Sequence, residues 1–410
     1  MHRKKILAVA VAGALGMGSG VALAGEATSN YTIYGKLYPQ VSSYDYKDAT
    51  LSDPGNTLTG PVSATAGHSQ RSTLDVSNSR IGFRGSEALG GGLSAIFQIE
   101  TRVRFDTGTG SVWAGGRDSF IGLAGSIGTF KLGNFDTAYK NVGDKMSFLG
   151  ISSGNFVSHS NVLARGPSDI DFHIRQTNAV GYESPKFAGV QAFVTYGPDE
   201  NNGNPGATQN GKNVFLNSYG VTYEMGPLYL ALGHEIHHDF FSGSNSFANG
   251  SPTASLGPNV RSNDTATRAT MMLKIADTTV SVDLSQIELK ETGNIATGNF
   301  EGYKNKRYAV GVEQKFGNFT GAASVVNSDE GTCTVAGGGA CSTAGLEGRV
   351  MNLGVMYSFS RRTQAYIIYS QLKNGTLADY NTVAINPSAG TAPLAGEDLT
   401  AIGVGVSHSF

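Results

Sequence analysis

After its first two dozen residues the chain has no apolar run of about 20 residues, the length a helix needs to cross a bilayer, so helical membrane spans are excluded there. Cysteine is nearly missing. Cys333 and Cys341 are the only two, too few for a disulfide-built fold or a cysteine zinc site. Proline is low at 12 residues and tryptophan occurs once, which excludes a proline-rich linker protein or a collagen. Charge of one sign is lacking as well. The formal charge is −2, which gives no reason to expect nucleic acid as a partner. No glycine-rich phosphate cradle, zinc-ligand spacing or G-x-S-x-G elbow is found, so the sequence implies no cofactor and no catalytic residue.

The chain opens with His2, Arg3, Lys4 and Lys5, then an apolar run from Ile6 to Gly18, then Ala22-Leu23-Ala24. Basic start, short apolar core and small residues are the order of a secretory signal peptide, and the core is too short for an anchor. The expected division is therefore 1–24 signal and 25–410 mature chain. Export favours a Cys333–Cys341 disulfide that pins one loop, over free thiols or metal binding.

Glycine is abundant, 56 of 410 residues against a usual share of about 7%. The remaining sequence alternates apolar and polar residues in segments of about ten, which gives each strand one greasy and one polar face. Thr400, Ile402, Val404, Val406, His408 and Phe410 oppose Ala401, Gly403, Gly405, Ser407 and Ser409. Sixteen such strands are expected, near 31–46, 72–87, 93–107, 116–124, 129–135, 173–184, 189–197, 214–225, 228–241, 265–276, 279–292, 304–316, 319–328, 347–359, 363–374 and 397–410. The parity of Leu74 and Val76 conflicts with that of Ile81 and Phe83, so a bulge is expected near Asn78–Ser79. Connections alternate short and long, the plan of a transmembrane antiparallel barrel with periplasmic turns and extracellular loops. A soluble sandwich is the rival. Its core is disfavoured by the charge on the polar faces: Arg80 and Arg84, Glu100 with Arg102 and Arg104, and Lys131 all point away from the apolar side. Buried ionised groups cost several kcal/mol each unless paired, and a watery lumen removes that cost. Tyrosine at 17 and phenylalanine at 20 supply material for interfacial aromatic belts.

Several stretches resemble the general trimeric porins of Gram-negative outer membranes: Thr32–Val41, Ser79–Glu100, Gly122–Phe135, Arg175–Tyr196 and Gly403–Phe410. The resemblance implies an all-β, sixteen-stranded barrel that passively conducts ions and small hydrophilic solutes. It implies a homotrimer in contact with outer-membrane lipid and lipopolysaccharide. It also implies that the third long loop, 136–172, folds into the lumen. On this reading Asp144, Asp169 and Asp171, with Lys140, Lys145 and Arg165, lie on the loop and face a basic wall of Lys36, Arg80, Arg84, Arg102 and Lys131, with Glu100 beside Arg102. Charges so opposed sort ions by sign. Family members often carry basic residues where this chain has Asn134 and Gly181, and their loss weakens the case for strong anion preference. Phe410 resembles the terminal aromatic recognised by the outer-membrane assembly machinery.

Two other classes compete: a barrel enzyme hydrolysing lipid or peptide, and a surface adhesin or receptor. Glu235, His237 and Asp239 share one strand face and His234 and His238 the other, so the first three suggest a cation site near the outer mouth. The plainer reading, a polar strand end running into a loop, is preferred because nothing fixes an outer shell of ligand partners.

Overall fold

A computed structural model describes residues 29–50, 67–76, 78–106, 113–151, 154–166, 171–198, 214–239, 259–339, 341–382 and 392–410. Residues 1–24, the expected signal segment, lie outside these. Sixteen staves close into one antiparallel barrel. They are β1 (Ser29–Leu37, then Gln40–Lys47), β2 (Arg71–Asp75, then Arg80–Gly90), β3 (Leu93–Val103), β4 (Trp113–Gly116, then Ser119–Gly125), β5 (Gly128–Asp136), β6 (Arg175–Glu183), β7 (Val190–Gly197), β8 (Phe215–Met225), β9 (Leu228–His238), β10 (Val260–Ile275), β11 (Thr278–Gly293), β12 (Phe300–Phe316), β13 (Phe319–Ser328), β14 (Gly348–Ser358), β15 (Thr363–Asn374) and β16 (Asp398–Ser409). A short strand, Thr332–Val335, lies between β13 and β14 and pairs with the start of β12.

Each stave pairs with its sequence neighbours, and β1 pairs with both β2 and β16, so no edge is left. Closure satisfies every ladder, the condition for crossing hydrocarbon. The seam is completed by Phe410: its N–H donates to Gly35 O at 3.1 Å, and Gly35 N–H donates to Phe410 O at 3.2 Å. Gly35 has to be glycine here, because a Cβ would strike the Phe410 ring and stand 2.7 Å from Arg80 O.

The alternation read from sequence sets the two faces. Ile33, Ile99, Ile121, Leu132 and Val404 are exposed on the outside, while Glu100 between them in parity is buried. Staves β10, β11 and β12 run 16, 16 and 17 residues, longer than the roughly 9–11 a tilted strand needs to span a bilayer. Their upper thirds carry Arg261, Asn263 and Lys304 outward, so apolar alternation stops before the ladder does. For that reason β10 and β12 begin earlier than the apolar pattern predicts.

Two staves are broken side by side. In β1 the break is Tyr38-Pro39, where proline offers no ladder N–H. In β2 it lies between Asp75 and Arg80, where Ser79 N–H turns back to Val76 O at 2.9 Å. The Ser79 hydroxyl in turn accepts from Tyr38 N–H at 3.0 Å. The parity conflict is resolved there: Leu74 is exposed opposite Val41, while Val76 is buried.

The described parts of 137–174 lie inside the barrel. Thr137 caps α1 (Ala138–Gly143), its hydroxyl accepting from Lys140 N–H at 3.4 Å. Packing carries α1 against β8, β9 and β10, a 3₁₀ turn (Phe148–Gly150) against β13 and β14, and α2 (Ser160–Leu163) against β12, β13 and β14. The sequence reading expects a lumen full of water. Instead Phe148, Leu149, Phe156, Val157, Val162 and Leu163 form an apolar core with inward Tyr44, Val326, Val350, Ile368, Leu399 and Ala401. The interior is dry on that side.

Candidate functional site

The breaks in β1 and β2 set the register of the opposite wall. Lys36 of β1 stands directly across from Arg80 of β2, and Arg80 across from Arg102 of β3. Three cations in one cross-strand row, with Cβ atoms of neighbours about 5 Å apart, repel one another. The next inward row is Tyr34, Gly82 and Glu100. Glu100 answers the repulsion: it lies 3.6 Å from Arg80, pairs with Arg117, and accepts from Tyr34 OH at 3.0 Å.

A cavity of about 520 Å³ separates this wall from the in-folded segment. Lys36, Arg80, Arg102, Arg117 and Arg175 line it from the wall, and Lys140 and Arg165 from the segment. The carboxylates along it are Asp136, Asp144 and Asp171. Asp136 is shared at 2.8 Å by Lys140 and Arg175, and Arg175 also binds Asp118. Asp171 holds Arg165 at 2.9 Å and accepts His173 N–H at 2.6 Å. Asp144 receives His173 Nε2 at 2.6 Å and the Ser160 hydroxyl at 3.3 Å. Burial opposes ionisation of Asp144, but His173, Lys140 and Arg268 outweigh it and hold the carboxyl below its usual range.

The segment is fixed to the far wall by polar ties. Arg268 of β10 and Asp283 of β11 form a fully buried pair within the wall at 2.6 Å, and the tie to the segment is Arg268 lying over the Tyr139 ring of α1. The Ser285 hydroxyl donates to Leu163 O at 2.7 Å, and Leu149 N–H to Glu313 at 2.6 Å. His159 shares a hydrogen with Ser324 at 2.8 Å. Burial, with Arg268 nearby, pushes its pKa down to about 4, so the ring is neutral at pH 7.

Of the residues singled out from sequence, Lys36, Arg80, Arg102, Asp144, Arg165 and Asp171 meet at the cavity, and Glu100 stands behind it. Two do not line it. Arg84 faces inward on β2 two inward positions below Arg80, over the Tyr34 ring at 5.0 Å. Lys131 is turned aside by Glu183 and by the Phe120 and Phe135 rings. Asp169 lies outside the described residues. Arg117 and Arg175 were missed. Asn134 donates to Arg117 O at 2.9 Å, so Arg117 stands beside one of the two positions where positives seemed lost, while Gly181 faces Lys131. Arg175 has inward parity at the start of β6, but Arg117 shares the parity of outward Ile121 and turns inward only at the break between Gly116 and Ser119, which alternation does not show.

Cys333 and Cys341 are bonded, with Cα atoms 5.7 Å apart, in the loop after β13. Glu235 and His237 do point inward and bind each other at 2.8 Å. Asp239 turns instead to Arg261 and to Ser262 N–H. His234 bonds Thr267, and His238 stacks on Phe215. Among the described residues no three His, Cys, Asp or Glu side chains are grouped to hold a metal.

A family model described as Gram-negative porin matches residues 8–377. The chain is 32% identical over 187 residues to the major outer membrane protein P.IB of Neisseria gonorrhoeae, covering 45% of this chain and 48% of that protein. It is 34% identical over 182 residues to the same protein of Neisseria lactamica, covering 44% and 48%. The matched part thus spans about half the length of these curated relatives. Among solved structures, an anion-selective porin from Comamonas acidovorans superposes with a TM-score of 0.67 at 22% identity, over 93% of this chain and 100% of that one. Salmonella typhi OmpF in complex with daunomycin gives 0.57 at 17% identity, over 93% and 97%. These structures speak for the fold. Barrel, outer greasy belt and family match agree: the chain belongs to the Gram-negative porins of the outer membrane.

Proposed function

We propose that the protein is a passive diffusion channel for ions and small hydrophilic solutes, with sign preference set where the segment 136–172 narrows the lumen. One observation carries this: the segment is packed against one wall and leaves a cavity on the other that is edged by charge. Diffusion through such a gap needs no cofactor and no bond chemistry. Basic residues outnumber carboxylates along it, which favours anions. The porin family supports a channel over a lipid or peptide hydrolase. Self-association as a trimer follows from the family resemblance, as do outer-leaflet lipid contacts and recognition of Phe410 by the assembly machinery.

Purified protein in planar bilayers tests the reading. Ohmic steps proportional to salt, in groups of three, with a reversal potential on the anion side, are expected. A protein that inserts but never conducts, and cleaves lipid or peptide instead, overturns it.

A further inference from the structure

The basic wall is less uniformly positive than its residue list. Arg80 and Arg117 share Glu100. Arg175 is held by Asp118 and Asp136, Lys140 by Asp136, and Arg165 by Asp171. Among the described residues two cavity-lining cations have no carboxylate partner: Lys36, whose ammonium donates to Gly150 O at 3.2 Å, and Arg102, whose Nε is buried without an acceptor. Arg104, one inward position above Arg102, likewise has a buried Nε with no acceptor. A guanidinium carries five donors in a fixed fork suited to carboxylate or phosphate. A cation that lines the cavity without a carboxylate at hand can meet an arriving anion through charge-assisted hydrogen bonds.

We infer that Lys36 and Arg102 form a binding station for small dianions, solutes with two separated anionic groups, with Arg104 as the approach to it. The inference rests on the channel reading. In the row Lys36–Arg80–Arg102 the outer two members are two strand spacings apart, about 10 Å, and their side chains line one cavity. A short dicarboxylate bridges that span, while a monocarboxylate engages one end. Arg80 in the middle is already answered by Glu100, so it is a positioning residue that keeps the two free cations apart. Glu100 sets the strength of the station by cancelling Arg80 and Arg117.

The test measures how succinate and butyrate, added to the outer side, reduce chloride current through single channels. Succinate is expected to reduce the current at about tenfold lower concentration than butyrate, the effect of one further charge-assisted contact. Arg102→Gln is expected to remove that difference, Arg80→Gln to leave most of it, and Glu100→Gln to enlarge it. Arg102→Lys, which keeps the charge without the fork, is expected to fall between, and it serves if Arg102→Gln does not insert. Equal action of succinate and butyrate on the wild type overturns the station, as does a loss in Arg80→Gln as large as in Arg102→Gln. If the wild type opens no channel, the channel reading fails instead, and the two failures are distinct.

Discussion

From β12 round to β16 the barrel wall meets the in-folded segment through Phe148, Phe156, Leu163, Ile368 and Leu399 in apolar contact. The second half of β1 shares that contact through Tyr44 and Tyr46, while from its first half to β6 the wall meets the segment across a charged gap. The inner face of one barrel thus follows two rules. On the first side the segment is held by burial, which contributes about 25 cal/mol per Å² of apolar surface, and by buried polar ties. On the second side its positive charges are kept apart by register and partly cancelled by carboxylates. The difference shows why the gap lies where it does: the segment adheres to the wall that accepts apolar side chains and stops at the wall that repels them.

The largest effect is expected from breaking the buried wall pair that holds Arg268 against Tyr139 of the segment. Asp283→Asn leaves Arg268 charged, fully buried and without its carboxylate, a change that costs about 3–5 kcal/mol. The segment should loosen from β10, and single-channel current should become noisier and larger, with the barrel still folded by circular dichroism. A quiet, unchanged trace would mean the apolar core alone holds the segment.

A smaller effect is expected from pH. His159 is neutral in the fold, with its pKa lowered to about 4 from an ordinary 6.5. Below 6.5 the unfolded or detached state binds the proton first, so the tie to Ser324 weakens as pH falls. The loss grows until pH 4, where the folded ring also protonates, and totals on the order of 3 kcal/mol. Channel noise should rise between pH 6.5 and 4 and stay flat over that range in His159→Gln. Identical pH profiles for the two proteins would remove His159 from the account.

On the charged side the comparison is sharpened by two arginines of the same inner face. Arg102→Glu should move the reversal potential strongly toward cations, because Arg102 lines the gap without a carboxylate partner among the described residues. Arg84→Glu should move it less, since Arg84 lies below the gap against Tyr34. Equal shifts would place the selective narrowing lower in the barrel than the cavity does.

Much of this was legible in the sequence. Period-two alternation gave the sixteen staves, because a membrane barrel exposes one face to lipid all along its length. Cross-strand register is not written in alternation, so the row Lys36–Arg80–Arg102 appeared only with the breaks at Pro39 and Ser79. The dry side had a weak signal. Paired apolar residues such as Val325-Val326 and Ile367-Ile368 put greasy side chains on both faces of a stave, and the inward ones needed a cover. Arg84 and Lys131 have the right parity but the wrong height, and height depends on barrel tilt, which a single strand does not reveal. Arg117 sits at the break inside β4, where the parity is reset, and Arg175 at the start of β6, where alternation gives way to loop.

The smallest effect is expected at a distance from both halves. Cys333 and Cys341 close a short ring in the loop after β13. Such a ring stabilises mainly by restricting the unfolded chain, by about 2–3 kcal/mol in the entropy account. The folded loop has other ties: Cys333 pairs across to Tyr303, and the Thr343 hydroxyl donates to Gly331 O at 2.9 Å. No described residue of this loop lines the gap. Cys333→Ser should therefore leave step size and reversal potential where they are, while making the loop easier to cut by added protease. A change in step size would show that the adherent side extends upward into the loop, and that the boundary between the two halves is set partly from outside the lumen.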